Sequence, residues 1–312
     1  MTVDEDLFIR TLDAIVPVPL PGMGKTDQRF RALAEIAAFD LAMARLIEGH
    51  LDAIAICDEA GRGVPNGLLG VWAADPPPNH LRAAAQDGGW SLHGIKQWCS
   101  GAGTLDNALV TAHAPDGYRL FVVALDSAGV QVRPESWRAV GMRHSDTFDV
   151  EFDGVLVTAD DAVGGPSWYL GRRGFWIGGI GVAACWYGGA LGAARALRTA
   201  VGQRRDDPHG LAHLGAADAL CAAMWAHRQT AATAIDAGIA GDPLARLAWQ
   251  VRAAVERLAG DVLRHAERGI GSGGLARDAE MARRSADLPV YLRQHHAERD
   301  LAALGELALG DA

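Results

Sequence analysis

The fold of this chain is decided by two stretches, WSLHGIKQWCSGAG at residues 90–103 and GMRHSDTFDVEFDGVLV at residues 141–157. In the second stretch Phe148, Val150 and Phe152 alternate with acidic residues, so one face of a strand is predicted to be buried and the other to contact water. Short apolar runs separated by turn residues complete the pattern, which predicts a compact antiparallel β-domain or small barrel. Six strands are predicted, at residues 68–74, 90–94, 107–113, 118–125, 130–133 and 148–157.

Helical periodicity precedes and follows this region. Helices are predicted at residues 5–16, 27–56, 178–202, 207–240, 243–268 and 278–309, with Pro289 expected to kink or interrupt the last of them. The four long helices after the strands are joined by short turns and predict a bundle. The predicted fold class is therefore α+β, with a short N-terminal helical region (1–66), a β-domain (67–165) and a C-terminal four-helix bundle (166–312).

Composition excludes several classes of protein. The chain has 312 residues, 49% of them hydrophobic, which excludes wholesale disorder, and its net charge of −9 argues against a nucleic-acid-binding surface. Its four scattered cysteines predict free thiols and a cytoplasmic location, and acidic residues stand where a signal peptide would be basic. The apolar run 175–197 is rich in Gly and Ala, so it is interpreted as a buried bundle helix and not as a membrane span.

The order of these motifs resembles the acyl-CoA dehydrogenase superfamily, whose members are flavoproteins with an α–β–α arrangement. The resemblance covers residues 92–157 most closely and implies an FAD-dependent oxidoreductase. It assigns the flavin to the tripeptide Trp98-Cys99-Ser100, with Trp98 against the isoalloxazine ring and Ser100 hydrogen-bonded near N5. Because side chains two positions apart on a strand point the same way, one strand is expected to supply both the indole and the hydroxyl.

Two departures from the family concern the rest of the flavin. Residues 71–76 lack the family's Gly-Ser-Asp loop, which contributes hydrogen bonds to the flavin and its phosphates. Arg205 occupies the position at which the family holds the adenosine diphosphate of FAD in a neighbouring subunit, but the accompanying aromatic residue and Gln are absent. FAD is the predicted cofactor, and a smaller flavin or a lost cofactor remain as alternatives.

The catalytic base also departs from the family, which uses a carboxylate in the last helix. The residue at that position is His295, and the nearest carboxylate is Glu298, almost one helical turn further on. A histidine there resembles the flavin-dependent monooxygenases that share the dehydrogenase fold, since an imidazole can accept a proton from a substrate hydroxyl or amine. The alternative is that His295 and its neighbour His296 are ordinary exposed helix residues. No metal site is predicted, because His209 and His213 share a helix face without a third ligand.

The leading interpretation is a shortened acyl-CoA dehydrogenase-like enzyme that oxidises a CH–CH bond of an acyl thioester or related carbonyl substrate and passes the electrons to an acceptor. Arg172 and Arg173 are the available replacements for the arginine with which family members grip coenzyme A. A flavin-dependent monooxygenase on the same fold is the first alternative, and a degenerate, non-catalytic member is the second. The resemblance further implies a homodimer or homotetramer.

Overall fold

The computed structural model describes residues 5–15, 17–78 and 80–310. Within these residues the helices are α1 (Glu5–Ile15), α2 (Thr26–Phe39), α3 (Leu41–Glu59), α4 (Trp168–Gly171), α5 (Arg173–Gly202), α6 (Pro208–Asp236), α7 (Gly241–Arg277), α8 (Ala279–Leu292) and α9 (Glu298–Gly310). The strands are β1 (Leu69–Trp72), β2 (Arg82–Gln86), β3 (Gly89–Cys99), β4 (Asn107–Ala114), β5 (Gly117–Ala124), β6 (Val130–Arg133), β7 (Phe148–Thr158) and β8 (Ala162–Val163). The predicted α+β class is confirmed.

Contacts divide the chain into two compact units. The first, here called the sheet unit, consists of α1, residues 45–139 and residues 143–175. The second, the helical unit, consists of residues 17–44, residues 140–142 and the chain from residue 176 onward. The division into an N-terminal helical region, a β-domain and a helical bundle, with boundaries after residues 66 and 165, stays a prediction.

All eight strands of the sheet unit belong to one sheet, with the order β6-β7-β3-β2-β4-β5-β8 and β1 paired to β4. Most pairs are antiparallel, as predicted, but β1 and β2 both run parallel to β4. Neither β2 nor β8 was predicted. The sequence of β2, RAAAQ, has no β-branched or aromatic residue, so its strand conformation depends on its neighbours in the sheet and not on local propensity.

Strand β7 shows how a single glycine changes which side chains are buried. Val150 and Phe152 are buried, as the alternation predicts. Gly154 then adopts a left-handed φ of 69°, and the pairing register with β3 shifts at the same place. Beyond this bulge Val155 is buried and Leu156 is 71% exposed, so the buried positions change from even to odd numbers.

The core of the sheet unit forms where α3 packs against the sheet. Ile56 of α3 lies in one cluster with Leu69 of β1, Leu109 of β4 and Leu120 of β5, and all four side chains are at most 1% exposed. Burying side chains of this size contributes roughly 1.5–3 kcal/mol each. The Trp72 ring is buried as well and donates a hydrogen bond from Nε1 to the Ser100 carbonyl oxygen at 3.0 Å.

Small residues allow close helix packing in the helical unit, as the Gly- and Ala-rich sequence predicts. A side-chain carbon at Gly188 of α5 would collide with the Ala34 carbonyl oxygen of α2, so this approach requires glycine. Among the described helices, α5 alone is long and apolar enough to cross a membrane, yet 67% of its most apolar window is buried inside the protein. That degree of burial fits the predicted core helix.

Two of the predicted helices, 27–56 and 278–309, are each divided into two in the structure, and α7 continues to Arg277 through the segment where it was predicted to end. Asp40 adopts an extended conformation and its carboxylate accepts a hydrogen bond from the Met43 amide at 2.9 Å, so it caps α3 and separates this helix from α2. Pro289 lies inside α8, which ends only at Leu292. The chain then makes tighter backbone turns and passes through a left-handed Ala297 before α9 begins.

Candidate functional site

The end of β3 presents Trp98 to the surface. Trp98 has a left-handed φ of 59°, a conformation that costs free energy for any residue except glycine, and the β3–β7 register is irregular between Lys96 and Cys99. Its amide donates a hydrogen bond to the Asp149 carboxylate at 3.3 Å, and the residue is 54% exposed. The predicted alternation does not extend through this point, because regular two-residue periodicity requires regular strand backbone.

Ser100 lies just beyond the strand and is only 7% exposed. Its hydroxyl oxygen accepts a hydrogen bond from the Thr147 hydroxyl at 3.0 Å. Within the described residues no acceptor receives the proton of the Ser100 hydroxyl itself, so this group is positioned to donate to another molecule. Trp98 and Ser100 therefore differ in exposure, and their roles toward a flavin stay a prediction.

Cys99 occupies the middle of the predicted tripeptide and is fully buried. Its thiol donates to the Lys96 carbonyl oxygen at 3.2 Å. Burial raises the pKa of this thiol well above its ordinary value, so it stays protonated at neutral pH. Any contribution of Cys99 to a cofactor site would have to come from its backbone.

The second candidate group is His295, which follows α8 and is 4% exposed. Neither ring nitrogen has a hydrogen-bond partner among the described residues. The edge of the imidazole meets the ring of Trp186, with centroids 6.5 Å apart and planes at 85°. Trp186 is fully buried, and its Nε1 also has no partner in the described part of the chain. Buried polar atoms normally find partners, so this cluster has unused capacity for hydrogen bonding.

Arg252 of α7 organises the surroundings of His295. Its guanidinium lies over the Trp186 ring at 4.7 Å from the centroid and donates to the carbonyl oxygens of Gly179 at 2.8 Å and Gln294 at 2.7 Å. Burial, followed by the charge of Arg252, lowers the pKa of His295. The imidazole is therefore neutral at pH 7 and can both accept and donate a proton.

Two other predicted site residues are exposed. Glu298 is the first residue of α9, whereas His295 lies in the segment between the end of α8 at Leu292 and the start of α9, so the expected one-turn helical spacing does not exist in the structure. Arg205 lies in the turn between α5 and α6 and makes no hydrogen bond or ion pair with any described residue. Within the described residues, no hydrogen bond, ion pair or ring contact joins Glu298 or Arg205 to His295, Trp186 or Arg252.

Arg172, a proposed replacement for the coenzyme A anchor, is already engaged inside the sheet unit. It is 5% exposed and pairs with Glu59 at 2.9 Å and Asp52 at 3.7 Å, while its guanidinium lies 5.1 Å from the centre of the Tyr169 ring. A guanidinium held by two carboxylates and an aromatic ring is not free to grip a substrate phosphate.

Sequence reasoning missed Trp186 and Arg252. Trp186 is one of four aromatic residues in α5, a helix otherwise rich in small residues, and such a residue is more often ordinary core. Arg252 gives no sequence signal, because its contacts come from residues 42 and 73 positions away. His213, which shares a helix face with His209, instead places its ring against His265, with the two Nδ1 atoms 3.0 Å apart.

Comparison with known proteins agrees with this architecture. Residues 75–155 match the family described as acyl-CoA dehydrogenase, middle domain. A dibenzothiophene monooxygenase of Mycolicibacterium goodii is 29% identical over 178 residues, which are 50% of this chain and 43% of that relative. The matched segment thus spans less than half of the relative's length.

Two solved structures extend the likeness to nearly the whole chain. The dibenzothiophene monooxygenase TdsC of Paenibacillus sp. A11-2, solved with FMN and indole, has a TM-score of 0.87 at 20% identity, covering 100% of this chain and 92% of that one. Glutaryl-CoA dehydrogenase of Mycobacterium smegmatis has a TM-score of 0.85 at 17% identity, covering 98% and 86%. Since one fold carries both reactions, it does not choose between them. Residues 75–155 thus resemble the acyl-CoA dehydrogenase middle domain, and the fold of the chain is acyl-CoA dehydrogenase-like.

Proposed function

We propose that this protein is a flavin-dependent monooxygenase that uses reduced FMN and dioxygen to oxygenate a small aromatic substrate. The observation that carries the proposal is the buried imidazole of His295, which has no hydrogen-bond partner among the described residues, in the segment where a dehydrogenase needs a carboxylate. The monooxygenases among the relatives support the same reaction class. The proposal replaces the acyl thioester interpretation with its first alternative.

The residues of the sheet unit fit a flavin in two respects. Trp98 offers an exposed aromatic face, and Ser100 has a hydroxyl proton without an acceptor among the described residues. Trp98 and Ser100 would hold the isoalloxazine ring by stacking and by a hydrogen bond. FMN is proposed in place of FAD because TdsC was solved with FMN and because the residues that accompany Arg205 in binding the adenosine diphosphate of FAD are absent.

When bound, reduced FMN supplies the two electrons with which dioxygen is split, so that one oxygen atom enters the substrate and the other leaves as water. The contribution of this chain is control of protons at His295. A neutral imidazole carries one N–H and one lone pair, so His295 can accept a proton from a substrate hydroxyl or amine at one nitrogen and donate at the other. Arg252 favours this neutral state and holds the backbone at Gln294 next to it.

The dehydrogenase reaction receives less support from the side chains. Removal of a proton beside a thioester carbonyl needs a positioned base of suitable strength. Glu298 is exposed at the start of α9, and Arg172 is engaged with Glu59 and Asp52. Glu298 is therefore a weak candidate for the base of a dehydrogenase, and Arg172 is a weak candidate for its contact with coenzyme A.

The decisive experiment separates the two reactions on the purified chain. FMN and FAD are titrated separately, and we expect stoichiometric binding with preference for FMN. The FMN complex, supplied with reduced flavin from an added reductase, should transfer ¹⁸O from ¹⁸O₂ to dibenzothiophene or indole, used here as probes. Anaerobic bleaching of the flavin by butyryl-CoA would overturn the proposal in favour of the dehydrogenase. Failure to bind either flavin would overturn it in favour of a non-catalytic protein.

A further inference from the structure

A group of three metal-ligand side chains lies in the sheet unit, distinct from the residues proposed to handle the flavin. Asp75 Oδ1 is 3.0 Å from His80 Nδ1, and Asp75 Oδ2 is 2.6 Å from His113 Nε2. One ligand atom from each residue lies within 4.8 Å of the others. The two imidazole rings meet edge to face with centroids 5.0 Å apart. The three side chains thus point toward a common point.

The backbone holds the three residues in this arrangement. Strand β1 pairs with β4 up to Trp72 opposite Val110, and Asp75 follows three residues later. The chain returns to the same edge of β4 at Arg82, which is paired with His113, and the His113 amide donates to the Leu81 carbonyl oxygen at 2.9 Å. Asp75 and His80 therefore lie in the connection between β1 and β2. Both of these strands pair with β4, the strand that carries His113.

Two imidazoles and a carboxylate suit first-row divalent ions such as Zn²⁺. Ligand atoms around a tetrahedral zinc ion lie about 3.3 Å apart at the usual bond lengths of about 2.0 Å. The observed separations of 2.6, 3.0 and at most 4.8 Å bracket this value, so small side-chain rotations are enough. The side chains of His80 and His113 are 36% and 47% exposed, which leaves room for a water molecule as fourth ligand.

The surroundings orient the carboxylate and the two rings. Asp75 accepts hydrogen bonds from both His80 and His113, so its two carboxylate oxygens face the two rings. The His113 ring packs against Tyr118 at 5.0 Å, and the Tyr118 hydroxyl donates to the Thr111 hydroxyl at 2.7 Å. Ligand side chains that are already oriented by their neighbours favour the binding of a metal ion.

We propose that Asp75, His80 and His113 form a binding site for a divalent transition-metal ion of the zinc type. The ion would replace the two hydrogen bonds of Asp75 and link the connection between β1 and β2 to strand β4. Its function is structural, because it joins two segments of the sheet unit and uses none of the residues assigned to the flavin.

The test uses the full chain, stripped of metal with EDTA, transferred to metal-free buffer and freed of any affinity tag. Titration with Zn²⁺ by calorimetry should show one equivalent bound, and Co²⁺ should produce visible absorption bands of a site with four or five ligands. Zn²⁺ should also raise the thermal midpoint, since it binds the folded state. His113→Gln should weaken Zn²⁺ binding by more than about tenfold, because loss of even an outer partner of a metal site costs about that much.

His80→Gln is the second variant, because His80 lies in a connection between strands and not within a strand. It should show the same loss of Zn²⁺ affinity and replaces His113→Gln if that variant does not fold. The matched control is His213→Gln, which disrupts the other histidine pair of the described chain and should leave Zn²⁺ affinity unchanged. Absence of stoichiometric Zn²⁺ binding in the wild type would show a hydrogen-bonded cluster only and overturn the proposal. Binding that survives both His80→Gln and His113→Gln, or is lost in His213→Gln, would overturn it too. All these measurements are made without flavin, so they are independent of the proposed oxygenation.

Discussion

Histidine is used in opposite ways in the two units of this protein. In the helical unit His295 is 4% exposed, and neither ring nitrogen has a partner among the described residues. In the sheet unit the side chains of His80 and His113 are 36% and 47% exposed, and each is hydrogen-bonded to Asp75. The comparison teaches that burial and available partners, more than residue type, decide what an imidazole can do.

This difference in burial predicts different ligands for His295 and for the pair His80 and His113. A buried neutral imidazole beside Trp186 and Arg252 can exchange a proton with an organic molecule that excludes water. An accessible pair of imidazoles with a fixed carboxylate suits a hydrated cation. The first prediction below tests the buried imidazole of the helical unit, and the others test residues of the sheet unit.

The largest effect is expected from His295→Gln, which keeps a polar side chain but removes the titrating ring. The rate of substrate oxygenation should fall by about 10²–10⁴-fold, the usual contribution of a general acid–base group. Steady-state ¹⁸O incorporation with reduced FMN measures it. The matched control is His296→Gln, whose ring is 53% exposed on the adjacent residue and pairs with Asp300. Equal losses in both variants would contradict a special role for the buried ring.

A smaller effect is expected from Trp98→Ala. Loss of one aromatic stacking partner should weaken FMN binding by about tenfold, corresponding to about 1.4 kcal/mol. Fluorescence titration measures the dissociation constant. Trp225→Ala provides the control, because Trp225 is similarly exposed, at 43% against 54%, but belongs to α6. An unchanged dissociation constant in Trp98→Ala would remove the stacking role.

Ser100→Ala should have a still more modest effect. Removing one donated hydrogen bond should lower the affinity for FMN by about fivefold, equivalent to about 1 kcal/mol. Thr147→Val serves as comparison: it removes the hydroxyl that donates to Ser100 but leaves the Ser100 proton in place. A larger loss in Thr147→Val than in Ser100→Ala would indicate that the network maintains local structure and that the Ser100 proton does not reach the flavin.

The smallest effect concerns the pH dependence of stability in the sheet unit. Lys96 is 1% exposed, and burial lowers its pKa from 10.5 to about 8, while its ammonium donates to the Thr111 carbonyl oxygen and hydroxyl at 2.8 Å. The unfolded chain keeps this proton to higher pH than the folded chain. The free energy of unfolding should therefore rise between pH 7 and 8.5, by up to about 1 kcal/mol. Urea unfolding in EDTA measures the rise, which should be absent in Lys96→Met; a decrease in the wild type would contradict the assignment.

Much of the architecture is predictable because its signals are local. The strands β3, β4, β5 and β7 and the helices α5 and α6 follow two-residue or helical periodicity and the placement of Pro and Gly. Strand β2 is not predictable in this way, since its alanine-rich sequence has little intrinsic strand preference. The change of buried positions after Gly154 and the left-handed Trp98 also depend on pairing with a neighbouring strand.

Motif order and residue identity, which are read along the chain, predict the acyl-CoA dehydrogenase-like fold, the order of helix, sheet and helix, and a histidine at position 295 where that family uses a carboxylate. Only the tertiary structure decided that His295 is buried beside Trp186 and Arg252, that Glu298 is exposed and that Asp75 and His80 meet His113. The physical reason is that solvent exclusion, charge proximity and ligand geometry arise between residues far apart in sequence, and they determine the chemistry that each side chain can perform.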